Sequence, residues 1–494
     1  MTGLLLGIDI GTSSSKGVLT DASGHVLATA TRPHETSTPH PGWFEHDADT
    51  VWWADFLAIA RELVDAADGR ALAGLAVSGI GPVLLPADAT GKPLRPGILY
   101  GIDTRSGPQI TSITSELGAE AILERGGTPL SSQAVGPKIR WLAENDPGVY
   151  ERTEFLFMAS SYLVHHLTGR YVLDHHSASQ CDPLYDLREA DWAHDWAARV
   201  APGWTLPELA WPTEVIGTVT AAAAAETGLP QGLPVTAGTV DAWAEATSVG
   251  VTGPGDTMVM YGTTMFLIQV LADPKPHPGL WTTRGAFPGT YNLAAGMATS
   301  GAITDWLRKL VGGDFATLVG EAAQVPAGSR GLLLLPYFAG ERTPIFDADA
   351  RGVIAGLTLG HGRGELYRAA LEGVAYGVRH NLEVMRESGG AARRLVAVGG
   401  GTQGDLWTQI ATDVTGTAQQ VPTHTVGAAL GDAVLAATAI GLDVDMSAWN
   451  PPSHEVTVDD EAAARYDQFY RHYRDLYPAT MDTAHFLAEQ QRNA

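Results

Sequence analysis

A two-domain α/β protein built on a duplicated unit is what this sequence predicts, and three observations carry that reading. The chain has 494 residues, too many for one ordinary hydrophobic core and suited to two domains of roughly 200 to 250 residues. A strand, a Gly-Thr turn and a second strand open it between Leu4 and Leu19, and the same succession returns between Thr257 and Val270, as a duplication would leave it. Between the two copies lies Gly250-Val251-Thr252-Gly253-Pro254-Gly255, a dense run of turn formers that sets the expected domains at 1–249 and 250–494.

Taken in order, Leu4 to Ile8 is an apolar run suited to a buried strand, Gly11-Thr12 interrupts it, and Lys16 to Leu19 resumes it. A second turn at Asp21–Gly24 leads to Val26–Ala30, so the opening reads as a meander. Asp47 or Asp49 can cap a helix whose apolar positions include Val51, Trp52, Phe56, Ala60, Leu63 and Val64, and Gly69 ends it. Leu75–Val77 is a short strand entering Ser78-Gly79-Ile80-Gly81-Pro82, and Ile98–Tyr100 precedes Asp103 and Arg105. Strand ends and loops of this kind are where binding residues collect. After a helical middle section, Leu233–Ala237 rises as a strand into Gly238-Thr239-Val240-Asp241. In the second half, Leu395–Val398 reads as a strand, Gly399–Gly404 as a glycine-rich loop and Asp405–Val414 as a helix. The tail from Glu461 spaces Tyr466, Phe469, Tyr470, Tyr473 and Tyr477 by threes and fours, an aromatic stripe read as packing.

Composition narrows the function. With 45% hydrophobic and 17% charged residues the chain belongs among compact globular proteins. Its 31 basic and 55 acidic side chains give a net charge of -24, which repels nucleic-acid backbones and anionic membranes. Neither is expected as a partner. Cys181 is the single cysteine, so no internal disulfide can form, and a reducing cytoplasm is the expected location. The start shows no basic region before its apolar run, which ends at Asp9 rather than at a cleavage site, and no segment reaches the roughly 20 apolar residues of a membrane span.

Several residues can carry chemistry. Asp9, Gly11, Thr12, Ser13 and Lys16 bring a carboxylate, bare backbone, two hydroxyls and an ammonium into one turn, a set suited to Mg²⁺ and phosphate. An ordinary hairpin has the same composition, because Gly and Ser dominate turns; the second turn, Gly262-Thr263-Thr264, favours phosphate. Two such loops facing each other can clamp β- and γ-phosphates between domains, and neither is a P-loop. Gly399-Gly400-Gly401-Thr402-Gln403-Gly404 satisfies the Gly-x-Gly-x-x-Gly pattern between strand and helix. The acidic residue of a dinucleotide site, expected about 20 positions on, is missing: that region reads Val421-Pro422-Thr423-His424. A loop bordering adenosine and a plain glycine turn both remain open. Asp241, just after a strand, can accept the proton of an attacking hydroxyl and can equally cap the helix that follows. His165-His166 and His175-His176 lack metalloprotease spacing and read as helix-face and turn residues. Glu341-Arg342-Thr343-Pro344 suits an interdomain ion pair or a nucleotide contact, with structure favoured.

The order of motifs resembles the FGGY carbohydrate kinases over essentially the whole chain, and among them the xylulokinases. Asp9-Ile10-Gly11-Thr12-Ser13 is similar to their first phosphate loop, and Pro41-Gly42-Trp43-Phe44-Glu45 with Trp52-Trp53 to the helix entry after it. Lys138-Ile139-Arg140-Trp141-Leu142 resembles the core of the first family signature. Gly352, Ile354, Gly356 and Leu357 with Glu365, Leu366, Ala369, Ala370, Leu371 and Glu372 fit the second. Leu333-Leu334-Leu335-Pro336-Tyr337 leading to Gly340-Glu341-Arg342-Thr343-Pro344 is similar to xylulokinases in particular.

The resemblance implies two actin-like ATPase (ribonuclease H-like) domains with an active-site cleft between them. The N-terminal domain would bind sugar and phosphate; the C-terminal domain would bind adenosine and end in a helix. It implies transfer of the γ-phosphoryl group of ATP to a ketopentose or related sugar, D-xylulose foremost, with Asp241 as catalytic base and Asp9 and Asp241 holding Mg²⁺ through water. Gly399 to Gln403 would border adenosine, and Gly81, Pro82, Asp103, Arg105 and Trp243 would line the sugar side. One departure concerns specificity: Gly81-Pro82 stands where xylulokinases carry a Met-His pair, which removes a histidine donor and is expected to enlarge the pocket. Another ketose, a deoxy-ketose or a polyol is therefore an alternative substrate. An actin-like ATPase and a catalytically weak sugar-binding regulator are alternative functions, and the assembly, a homodimer among the options, is open.

Overall fold

The computed structural model describes residues 3–492. Two compact units are present: one gathers the chain up to Pro254 with Val270–Asn292 and Val426–Pro451, and the other gathers Gly255–Gln269, Leu293–Thr425 and the chain from Pro452 onward.

In the first unit, β1 (Leu4–Ile10) is buried along its whole length, as a strand covered on both faces must be. β2 (Ser14–Thr20) returns antiparallel to it, and β3 (Val26–Pro33) continues the meander at the sheet edge, where every second position opens to solvent. α1 (Ala54–Ala66) is entered through a π-helical turn, Ala48–Trp53, which Asp47 caps by accepting from the Thr50 amide at 2.8 Å. Trp52, Phe56, Ile59, Ala60 and Leu63 turn one buried stripe to the core. β4 (Leu72–Gly79) then inserts parallel to β1. Much later come β5 (Val215–Thr218), β6 (Pro234–Thr236) and β7 (Thr239–Val240), which complete the order β5-β6-β4-β1-β2-β3, with β7 also paired to β4. α2 (Asp241–Ser248) begins where β7 ends, so its first residue sits at the C-terminal edge of the sheet.

The second unit repeats the device. β8 (Asp256–Tyr261) and β9 (Met265–Leu271) form an antiparallel hairpin, and β10 (Tyr291–Met297) follows. After α3 (Arg363–Glu387), β11 (Arg394–Val398) lies parallel to β8, as β4 lies parallel to β1. α4 (Asp405–Thr415) and β12 (Gln419–Pro422) come next. The chain then returns to the first unit for α5 (Ala428–Ala439) before re-entering the second as β13 (Pro452–Val456) and α6 (Asp460–Arg492). Its sheet runs β10-β9-β8-β11-β12-β13. The aromatic stripe of α6 packs inside this unit: Tyr466 donates to Glu372 at 3.0 Å, Tyr470 to Glu383 at 2.6 Å, and Tyr473 meets Tyr337 at 3.0 Å.

Glycine sets how closely the first unit packs. α5 is buried from Ala428 to Ala437 and lies against both β1 and α2. A Cβ on Gly7 of β1 would stand 2.0 Å from the Ala429 carbonyl oxygen, and one on Gly431 would stand 1.7 Å from that of Ala244 in α2. Both distances are far inside van der Waals contact, so backbone meets backbone at each crossing. Gly431→Ala should therefore cost about 3 kcal/mol or more in a denaturant titration. Gly148→Ala, at a position with open space around it, should stay within about 0.5 kcal/mol of the parent.

Candidate active site

The turn between β1 and β2 has a definite electrical polarity. The Gly11 amide donates to the Ser14 carbonyl at 3.2 Å, and the Ser13 carbonyl accepts from the His34 amide at 3.0 Å. Thr36 Oγ1 donates to the Thr12 carbonyl at 3.0 Å, and His34 Nε2 lies 3.1 Å from the Gly11 carbonyl oxygen. Four successive carbonyls thus point into the protein. In a trans peptide the next N–H points the other way, so the Thr12 and Ser13 amides face outward, and neither has an acceptor among the described residues. Outward amides in sequence make a nest for an anion.

Behind that turn lies a group of carboxyls. Asp9, one residue from the end of β1, is in register with Ser78 of β4. Ser78 Oγ is 3.2 Å from Asp9 Oδ1 and 2.7 Å from Asp432 Oδ2, which reaches in from α5. Asp241 opens α2, its Oδ1 accepting from the Ala242 amide at 2.7 Å, and Glu245 follows one turn later. Asp9 and Asp432 are buried, whereas Asp241 and Glu245 are half-buried and can be reached. Burial pushes Asp9 up to about 7, with Glu245 adding to the rise while Ser78, Lys16 and His34 oppose it. Burial also drives Asp241 and Asp432 well above the ordinary carboxylate range; Asp9 raises both further. Glu245 is raised by burial against the pull of Lys16. Carboxyls crowded like this cannot all ionise without a cation.

Other residues expected to line a sugar lie in the same unit but in different surroundings. Asp103 and Arg105 are buried against each other: Arg105 Nη2 donates to Asp103 Oδ2 at 2.7 Å and Nη1 to Glu45 at 2.7 Å, while its guanidinium covers the Trp43 ring at 4.2 Å. Asp103 Oδ2 also accepts from the Phe44 amide at 2.7 Å. Together they pin the segment that carries Tyr100, whose hydroxyl is 3.4 Å from Thr12 Oγ1. Trp243 is buried and lies over His176 with ring centroids 3.7 Å apart. Gly81 does not open the space expected of it: a Cβ there would come within 2.7 Å of Val240 Cγ2, and Pro82 is buried. Val240 already fills the volume that a larger residue would claim.

The second unit carries the matching turn. The Gly262 amide donates to the Thr264 carbonyl at 3.1 Å, the Gly262 carbonyl accepts from Gly301 at 2.9 Å, and that of Thr263 accepts from Ser300 at 3.0 Å and Ala302 at 3.1 Å. The carbonyls again face inward, with Thr263 and Thr264 exposed. Beside this turn runs the glycine loop. A Cβ on Gly399 would stand 2.7 Å from the Tyr261 carbonyl oxygen, and one on Gly401 2.7 Å from Tyr261 Cβ, so packing demands glycine at both. Gly400 and Gly404 have nothing within 4 Å and no positive φ, so the protein itself does not require glycine there. Thr402 Oγ1 donates to the Gly399 carbonyl at 2.8 Å, and Gln403 ends the short turn. Glu341 accepts from the Ala298 and Arg342 amides at 2.8 and 2.7 Å, a contact within this unit.

Residues 4–248 match the N-terminal domain of the FGGY family of carbohydrate kinases, and residues 257–440 match its C-terminal domain. The chain belongs to the FGGY family. Xylulose kinase of Lactococcus lactis is 30% identical across 98% of this chain and 98% of its own length. Glycerol kinase of Alkalilimnicola ehrlichii is 31% identical across 89% of this chain and 90% of its own. The crystal structure of xylulose kinase from Rhodospirillum rubrum superposes with a TM-score of 0.91 at 35% identity, covering 98% of this chain and 100% of that one. This FGGY chain is accordingly a sugar phosphotransferase of two-domain α/β fold, with ATP as donor. Among its described residues no helix is long and apolar enough to cross a membrane.

Asp432 was not singled out from the sequence, because a lone Asp in an Ala-rich apolar helix gives no sign of a contact 354 residues away. Glu245 and His34 were missed as well, since nothing in the local pattern marks either. The signal present in the chain was the interruption itself, one carboxylate in an otherwise apolar helix face.

Asp9 binds its proton more tightly in the fold than in the unfolded chain, about 7 against 3.8. Its contribution to stability is therefore complete below the lower value and lost as the pH rises toward the upper one. Asp9→Asn cannot ionise and should melt a few degrees above the parent at about pH 8, without Mg²⁺ or nucleotide, the gap closing as the pH falls toward about 4.

Proposed function

We propose that the chain transfers the γ-phosphoryl group of ATP to a hydroxyl of a ketopentose, D-xylulose in the first place, giving D-xylulose 5-phosphate. The observation that carries this is Asp241: a half-buried carboxyl at the start of α2, held by its own helix amide and raised in pKa by burial and by Asp9, which lies at the end of the strand that leads into the first turn. The xylulose kinases it resembles along their full length support the choice of sugar.

Asp241 accepts the proton of the attacking hydroxyl as that oxygen bonds to the γ-phosphorus and the bond from phosphorus to the β–γ bridging oxygen breaks, releasing ADP. The amides of Thr12 and Ser13, with Lys16, hold phosphate oxygens in one unit; Gly262, Thr263 and Thr264 do so in the other. Gly400 and Gly404, glycines that packing does not demand, leave the backbone bare for adenosine. The neighbouring Gly399, Gly401, Thr402 and Gln403 shape that loop. Asp103 and Arg105 act on the sugar side through the segment they hold, beside Gly81 and Pro82, and Trp243 backs it.

Mg²⁺ fits the first unit. The donors are all carboxylate oxygens with raised pKa, and Asp432 Oδ1 is buried without a protein partner. Asp9 and Asp241 would hold it through water, and it would neutralise charge on the β- and γ-phosphates. A cytoplasmic location, where the buried thiol of Cys181 stays reduced, belongs to the same reading.

Coupled ADP release with Mg²⁺-ATP, across D-xylulose, other ketoses, deoxy-ketoses, aldoses and glycerol, is the test. D-xylulose should give the highest kcat/KM. A clear preference for glycerol or another acceptor would replace the substrate, and release without any sugar would replace the activity. Asp241→Asn should lower kcat by about a thousandfold or more with KM for ATP nearly unchanged; normal turnover would remove Asp241 from the base role.

A further inference from the structure

His34 occupies an unusual position beneath the first phosphate turn. Its Nδ1 lies 2.8 Å from Asp55 Oδ2 on α1, its Nε2 lies 3.1 Å from the Gly11 carbonyl oxygen, and its side chain is 7% exposed. Both neighbours are acceptors, so both ring nitrogens must carry hydrogen for both contacts to be favourable. Ser15 Oγ donates to the same Asp55 oxygen at 2.7 Å, which fixes the carboxylate in turn.

The next histidine shows the opposite arrangement. Burial, with His34 adding to it, pushes His46 down to about 4, so its ring is neutral. Its Nδ1 accepts from Trp52 Nε1 at 3.1 Å, which leaves its hydrogen on Nε2 for Thr36 Oγ1 at 3.0 Å, and Thr36 passes its own hydrogen to the Thr12 carbonyl. The two rings therefore tie down two adjacent carbonyls of a single turn, one directly and the other through Thr36. The titratable or charged groups facing His34 are Asp55 on α1, Asp9 on β1 and the His46 ring, whose centroid is 5.1 Å away.

We propose that His34, oriented by Asp55, is a positioning residue that fixes the Gly11 carbonyl and so aims the Thr12 and Ser13 amides at the nucleotide phosphates. The proposal rests on the assignment of that turn to ATP. Asp55, itself fixed by Ser15, sets the plane of the ring, so the hydrogen on Nε2 is directed at the Gly11 oxygen.

Binding of a non-hydrolysable ATP analogue with Mg²⁺, measured by calorimetry at one fixed pH, tests this without any sugar turnover. His34→Ala should bind about tenfold more weakly than the parent, the weight of one hydrogen bond. His34→Gln, whose side-chain amide can donate to the Gly11 carbonyl, should recover most of that loss. Parent-like affinity in His34→Ala, or a His34→Gln that binds no tighter than His34→Ala, overturns the proposal; should His34→Ala fail to fold, His34→Leu takes its place in both comparisons. Nucleotide binding that follows this pattern in a protein that phosphorylates no sugar would leave the positioning role standing and remove the kinase reading.

Discussion

Backbone contact between β1, α5 and α2 is the constraint on which the rest of the first unit depends. With no side chain at Gly7 or Gly431, three elements from distant parts of the chain approach more closely than any other residue would permit. That approach brings Asp9, Asp241 and Asp432 into one patch, because each sits on one of the three elements within two residues of a crossing or at a helix start. The raised pKa values follow from the same geometry: carboxyls packed this tightly lose water and feel one another's charge. Stability and chemistry therefore oppose each other here, as they commonly do where a site concentrates like charges.

The two Gly-Thr turns solve one problem by different means. Each must turn a series of carbonyls inward so that the amides between them face out. In the second unit the inward carbonyls are met by backbone amides at the start of a helix, Ser300 to Ala302. In the first they are met partly by side chains, His34 and Thr36. A helix amide survives every substitution but proline, whereas an imidazole and a hydroxyl go with their residue. The duplicated fold thus carries one Gly-Thr turn whose inward carbonyls are met by backbone and one whose inward carbonyls are met partly by side chains.

Much of this was legible in the sequence, and the limits are instructive. The strands β1, β2, β4, β8, β9 and β11 announce themselves as short apolar runs, ended by glycine in β1, β4, β8 and β11, and the Gly-Thr turns repeat with a spacing that exposes the duplication. Tyr466, Tyr470 and Tyr473 read as a packing stripe and are one, each hydroxyl meeting a partner in the same unit. The ion pair that ties Arg105 to Asp103 and to Glu45 was not legible, because Glu45 lies 60 positions from Arg105. The volume beside Gly81 looked open because Val240, which fills it, is far away in sequence. Local pattern shows which elements exist; it does not show which distant element comes to rest on a given residue.

The placement of α5 also bears on how the protein is made. The first unit contains residues up to Pro254, yet its sheet is not covered on the Gly7 side until Ala428–Ala439 arrives from the other end of the chain. On a ribosome adding about 5–20 residues per second, that helix emerges roughly ten to forty seconds after α2. Through that interval the buried face of β1 has no partner from its own unit. The nascent chain has to keep that face from other apolar surfaces until a small, glycine-notched helix arrives to cover it.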